Sequence, residues 1–166
     1  MIWVQSHRAD PFAKDIADRH YSRQKPGTRQ FVQPGSCVVF KTMTATGRAY
    51  WVTSWPYARY VKHAWGGAWL CSAFRNESAA LASAMIRDAV AATRAHYGKP
   101  PDLGLVSFID RDKVRPTMVR NCPVWGWSFM KAGFTPIGET KAGLLVLQML
   151  PERMPPAESA LVDIFS

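Results

Sequence analysis

The chain of 166 residues reads as a single-domain α/β protein with a mixed sheet flanked by helices. Three observations predict this class. Short apolar runs bounded by Gly and Pro alternate with segments of helical period. One run, Leu103 to Ile109, is almost unbroken and suits a central strand buried on both faces. No internal repeat and no long linker divides the chain, so residues 1–150 form one domain and 151–166 a tail.

Trp3 to His7 reads as a short first strand. Asp10-Pro11 then opens a helix, with Asp10 as cap and Pro11 at the first helical position. Phe12, Ile16 and His20 share one face, and the helix ends near His20-Tyr21. Gln24 to Gly35 is a loop punctuated by Pro26-Gly27 and Pro34-Gly35. Cys37–Thr42 and Tyr50–Ser54 read as strands joined around Thr46-Gly47-Arg48. An aromatic and basic loop, Pro56 to Gly67, leads into a strand over Ala68–Phe74. A long helix follows from about Ser78 to Tyr97, with an apolar face of Leu81, Met85, Ile86, Ala89 and Val90 and with Arg87 and Arg94 on the other side. Gly98 and Pro100-Pro101 stop it. After the central strand, Val124–Lys131 reads as a short helix ended by Gly133, with Trp125 and Trp127 as core residues. Phe134–Gly138 and Leu144–Leu150 read as the last strands, and the apolar cluster Leu161 to Phe165 as a short docked helix.

Charge narrows the class of partner. The net charge is +9. From Arg19 to Asn76 there is no Asp or Glu, yet Arg19, Arg23, Lys25, Arg29, Lys41, Arg48, Arg59, Lys62 and Arg75 fall there. Aromatics from Tyr21 to Trp65 are interleaved with them. Basic residues mixed with aromatics suit a polyanion with bases to stack or flip; ordinary solubility charge over core aromatics is the plainer alternative. A second basic cluster, Arg111, Lys113, Arg115 and Arg120, follows the central strand and would grip a phosphate backbone from the other side. No apolar run is long enough for a membrane span and no signal peptide is evident, which predicts a cytoplasmic protein. Cys37, Cys71 and Cys122 have no metal-type spacing and read as reduced, mostly buried thiols.

The turn Phe74-Arg75-Asn76-Glu77-Ser78-Ala79-Ala80 has two readings. Small polar residues entering a helix present backbone N–H groups to an anion such as a pyrophosphate, with Arg75 as a second contact. Alternatively Asn76 or Ser78 caps the helix and Glu77 complements its dipole.

The element order, with Arg75, Ser78 and Ala80 in that turn and Lys131-Ala132-Gly133-Phe134 after the later helix, resembles the GNAT superfamily of N-acetyltransferases. In that family the turn reads Arg/Gln-x-x-Gly-x-Gly/Ala and holds the pyrophosphate of acetyl-coenzyme A. Ser78 stands where glycine is usual. A narrower resemblance rests on Arg19-His20-Tyr21-Ser22 with Gly27, then Pro34-Gly35, Phe74-Arg75-Asn76-Glu77, Ser107-Phe108-Ile109-Asp110 and Val114-Arg115. These segments look like the Mom-type DNA-modification proteins of phages. That family is GNAT-related in fold and places a carbamoylmethyl group on the exocyclic amine of adenine, which blocks host restriction.

The resemblance implies a DNA-modifying transferase acting on double-stranded DNA. It implies His20, Tyr21 and Asp110 as catalytic residues, and the same three as ligands of iron or another first-row metal. It implies Arg75, Asn76, Glu77, Ser78 and Ala80 around acetyl-coenzyme A or a related donor; the two basic clusters place Arg23, Lys25, Arg29, Arg111, Lys113 and Arg115 on DNA. The residues alone leave plainer roles open. His20 suits a helix C-terminus by its dipole, and Asp110 can pair with Arg111 or Lys113. His7, His63 and His96 have no paired spacing and read as structural. A coenzyme A-dependent acetyltransferase of a small amine or protein lysine, and a non-catalytic nucleic-acid-binding module, are the other functions compatible with the sequence.

Overall fold

The computed structural model describes residues 1–7, 9–19, 36–56 and 61–163, with the side chain of Ala13 left aside. In chain order these form β1 (Val4–Ser6), α1 (Pro11–Ala17), β2 (Cys37–Thr44), β3 (Gly47–Ser54), β4 (Trp69–Asn76), α2 (Ala82–Tyr97) and β5 (Leu105–Ile109). There follow β6 (Thr117–Val119), β7 (Cys122–Val124), α3 (Trp127–Ala132), β8 (Thr135–Glu139), β9 (Leu145–Met149) and a 3₁₀ turn at Pro151–Arg153. Seven strands make one mixed sheet in the order β1-β2-β3-β4-β5-β9-β8. Among the described strands of this sheet, only the pair β4 and β5 runs parallel. A crossover between parallel neighbours needs a covering helix, and α2 supplies it. The expected α/β class is thus the observed one.

The two sheet faces are covered differently. Met85, Ile86, Ala89 and Val90 of α2 pack with Trp3, Trp51, Trp69, Leu105 and Leu147 in the larger core. Ile16 and Ala17 of α1 pack on Val39, Tyr50 and Val52 from the opposite face. Full burial of three tryptophans removes apolar surface worth roughly 1.5–3 kcal/mol per large side chain. Asp10 caps α1 as expected, its Oδ1 accepting the Phe12 N–H at 2.9 Å with Pro11 at the first position.

Four expectations need correction. The main helix begins at Ala82, not Ser78, because the Asn76 side chain folds 77–80 into a separate turn. Its Oδ1 accepts from the Ser78 N–H and hydroxyl, and its Nδ2 donates to the Ala80 carbonyl at 2.8 Å. Leu81 takes the cap position without a side-chain bond. Second, α1 closes at Ala17 with Asp18 as its C-cap. Third, Val124 belongs to β7, and the short helix starts only at Trp127. Fourth, Leu161 is not helical. It adds to the sheet edge as extended chain, exchanging main-chain bonds with Trp3 and Gln5 at 2.8 and 3.0 Å.

Candidate functional site

The sheet opens at its parallel pair. β4 and β5 are matched only at Trp69–Leu105, Leu70–Val106 and Cys71–Ser107. Beyond that rung β4 bends away. On its other side Val52 opposes Ala73 while Thr53 opposes Cys71, so Ser72 is an extra residue, a β-bulge. The bulge is pinned by a 2.6 Å contact between the Ser72 and Ser54 hydroxyls. The gap is a cleft of about 110 Å³. It is lined by Cys71 to Phe74 of β4, Ser107 to Ile109 of β5, and Val114 and Phe129. It lies at the carboxyl ends of two parallel strands, where open α/β sheets gather ligands.

Backbone groups face into it. The Glu77 N–H donates to the Arg48 carbonyl at 2.8 Å. Antiparallel alternation therefore turns the main chain of Arg75 toward β3, and that of Phe74 and Asn76 toward the gap. The Cys71 thiol at the cleft floor is buried, which pushes its pKa up to about 12 despite a hydrogen bond with Ser107.

Asp110 stands one residue past the end of β5, beside the cleft-lining Ile109. Its Oδ1 accepts the Asp112 N–H at 3.0 Å and its Oδ2 lies 3.9 Å from the Lys113 ammonium. The carboxylate thus braces its own turn with one oxygen and has Lys113 near the other.

The turn at 76–80 is closed on itself. Ser78 N–H goes to Asn76 Oδ1, Ala80 N–H to the Ser78 hydroxyl, and Ala79 N–H to the Thr46 hydroxyl at 2.8 Å. The Glu77 carboxylate accepts from Arg19 Nε and from Arg75 Nε, each at 2.7 Å. The Arg19 bond is the main cause that lowers the Glu77 pKa to about 2, against a smaller penalty from burial. Gly47 lets the β2–β3 turn lie against this turn, since a Cβ there would stand 2.1 Å from the Glu77 carbonyl oxygen. Of the residues expected to cradle a cofactor, Arg75, Asn76, Glu77, Ser78 and Ala80 are thus together, but bonded to one another and to neighbours.

His20, Tyr21, Arg23, Lys25 and Arg29 lie outside the described residues. Asp110 is therefore the one member of the expected catalytic and metal set with a described position. Among the described residues no cluster of three His, Cys, Asp or Glu side chains would hold a metal ion.

The acid-free segment is not acid-free in space. Arg19 and Arg48 meet Asp15, Arg19 and Arg75 meet Glu77, and Lys41 meets Asp10 and Asp163. Most of the described cations of that segment are thus neutralised by carboxylates from outside it. In the second cluster Arg111 pairs with Glu139, and Lys113 is the cation near Asp110. Arg115 and Arg120 are exposed and have no carboxylate partner among the described residues.

His63, read as structural, packs against the wall of the cleft. Its ring meets Phe108 edge-on with centroids 4.9 Å apart, and Trp65 packs on both. Its Nδ1 accepts the Trp65 N–H at 3.1 Å, and burial lowers its pKa, so the neutral ring carries its proton on Nε2. No spacing rule pairs His63 with Phe108; only the fold joins them. Cys122 also departs from expectation, being exposed rather than buried. Trp125 is half-buried against the core, and its Nε1 donates to the Val114 carbonyl at 2.9 Å.

No family model, curated protein or solved structure matches the chain.

Proposed function

We propose that the protein is a DNA-modifying transferase that adds a carbamoylmethyl-type group to the exocyclic amine of adenine, of the kind that protects phage DNA from restriction. The cleft carries this reading: a slot between diverging parallel strands, with main-chain groups on its wall, aromatic rings at its side and the Asp110 carboxylate at its lip. The strand order with one central parallel pair also supports a GNAT-like scaffold.

A duplex adenine amine is paired, so the base must leave the stack to react. Phe108 with His63 and Trp65 offers an aromatic surface for the extruded base. The amine nitrogen forms the new bond to the donor's carbon while the leaving group keeps the old bonding pair. Asp110, through Oδ2, takes the proton that the amine sheds. A metal would take Asp110 as a ligand and would supply Lewis acidity at the reacting groups.

Acetyl transfer from coenzyme A to a small amine or protein lysine is the second reading. It fits less well. The turn amides that would hold the pyrophosphate are engaged, and Glu77 sets a negative charge among them. The deciding experiment is nucleoside mass spectrometry of DNA from cells expressing the protein. Adenine of raised mass is expected. Unmodified adenine from soluble, folded protein overturns the reading, and salt-dependent DNA binding without product leaves a non-catalytic binding module in its place.

A further inference from the structure

We infer that the β6–β7 hairpin is the element that enters a groove of double-stranded nucleic acid, with Arg120 at its tip and Arg115 at its root. This rests on the DNA reading above and names the part of the chain that engages the duplex. The hairpin is a two-stranded ribbon apart from the main sheet, closed by Arg120 and Asn121. Both turn residues have positive φ, 51° and 66°. That is the geometry of a two-residue primed turn, which favours Asn or Gly at both places. Asn121 suits it; Arg120 does not, since a Cβ disfavours the left-handed region. A strained, exposed Arg at the tip of the hairpin is better explained by what it reaches than by the turn it makes.

Charge selects the partner. From Lys113 to Gly138 the chain contains no Asp or Glu. Arg115 and Arg120 have no carboxylate partner among the described residues, whereas Arg19, Lys41, Arg48 and Arg75 are all paired. The outer face of the ribbon is Met118 opposite Pro123, with Met118 62% exposed. Pro123 pairs at a non-hydrogen-bonded position, so its missing N–H lies on the outer edge and discourages strand addition there. Two strands about 4.8 Å apart pass into a major groove about 12 Å wide. The root is fixed to the cleft wall, because Trp125 donates to the carbonyl of Val114, which lines the cleft. Duplex held by the hairpin is thereby held beside Asp110.

The test is the salt dependence of binding of the full chain to a duplex of about 20 base pairs, read by fluorescence anisotropy between 50 and 200 mM salt. Arg120→Gly relieves the turn and removes only the side chain; Arg115→Ala removes the second cation. Each is expected to weaken binding about 3- to 10-fold. Each should reduce the log–log salt slope by about 0.9 for one lost phosphate contact, with thermal unfolding no lower than that of the parent. Arg120→Lys should restore most of the slope. If the parent chain binds with a steep slope and both variants match it, the hairpin inference is overturned and the DNA reading stands. A parent chain with a flat salt response overturns both. Concentration-dependent self-association abolished by Met118→Asp would instead assign the face to a second copy of the chain.

Discussion

The carboxylate of Glu77 accepts the guanidinium of Arg19 at 2.7 Å across 58 residues of sequence. This contact ties the end of α1 to the turn between β4 and α2, and Arg75 completes it from the strand. Both arginines are more than a third exposed, so solvent screens much of the pair. Glu77→Gln is expected to cost about 1–2 kcal/mol at pH 7. The folded pKa near 2 lies below the ordinary glutamate value of 4.5, so the stabilisation is full above pH 4.5 and lost as pH falls through 2. Urea unfolding of both proteins should show their difference narrowing across that window.

Two cysteines should part company under alkylation. Cys71 is buried, with its thiol pKa pushed up to about 12; Cys122 is exposed on β7. Iodoacetamide at pH 8 should label Cys122 and spare Cys71 until urea unfolds the chain. Mass spectrometry of the folded protein carrying label on Cys71 would show that the cleft floor is open.

Asp10 anchors more than a helix end. Its Oδ2 meets the Lys41 ammonium at 2.7 Å and the Ser6 hydroxyl, while Oδ1 caps α1. Asp10→Ala removes the cap and half of a largely buried ion pair, at a cost of about 2–4 kcal/mol. At roughly 2–4 °C per kcal/mol for a chain of this size, calorimetry should show a clear fall in Tm.

Asp110 offers a clean separation of fold from chemistry. An amide oxygen can still accept the Asp112 N–H, so Asp110→Asn should leave Tm within about 1–2 °C of the parent. Loss of the base should lower product formation about 10²- to 10⁴-fold. Unchanged product in DNA from cells expressing this variant would remove Asp110 from the mechanism.

Gly104 has φ +66°, and a Cβ there would stand 2.0 Å from the Met149 carbonyl oxygen. Gly104→Ala forces β5 away from the end of β9 and should cost about 2–4 kcal/mol. Denaturant titration reads this directly.

Elements that bury a patterned face were legible in the sequence; those held by single polar contacts were not. Leu105 to Ile109 announced a central strand because both its faces are covered. Asp10-Pro11 and Gly98 marked helix ends through local chemistry. β6 and β7 escaped notice because each is only three residues long and the turn is written Arg-Asn instead of Asn-Gly. Ser78 looked like a cap because the competing role of Asn76 depends on where Ala80 ends up. The acid-free segment misled by its composition, since Asp15 and Glu77 reach it only through the fold. The position of Asp110 just past a strand was legible from the run that ends at Ile109, whereas the packing of His63 on Phe108 was not, because only the fold joins them.

The extra residue at Ser72 divides β4 by its neighbours. Leu70 and Cys71 are paired on both edges, with β3 on one side and β5 on the other; from Ala73 to Asn76 only the β3 ladder remains. The outer half of β4 is therefore a cantilever that starts at the Cys71–Ser107 rung and overhangs the cleft. What holds it is the β3–β4 ladder with the Ser54–Ser72 contact at the bulge, so the width of the slot is set from the side of the sheet that does not line it.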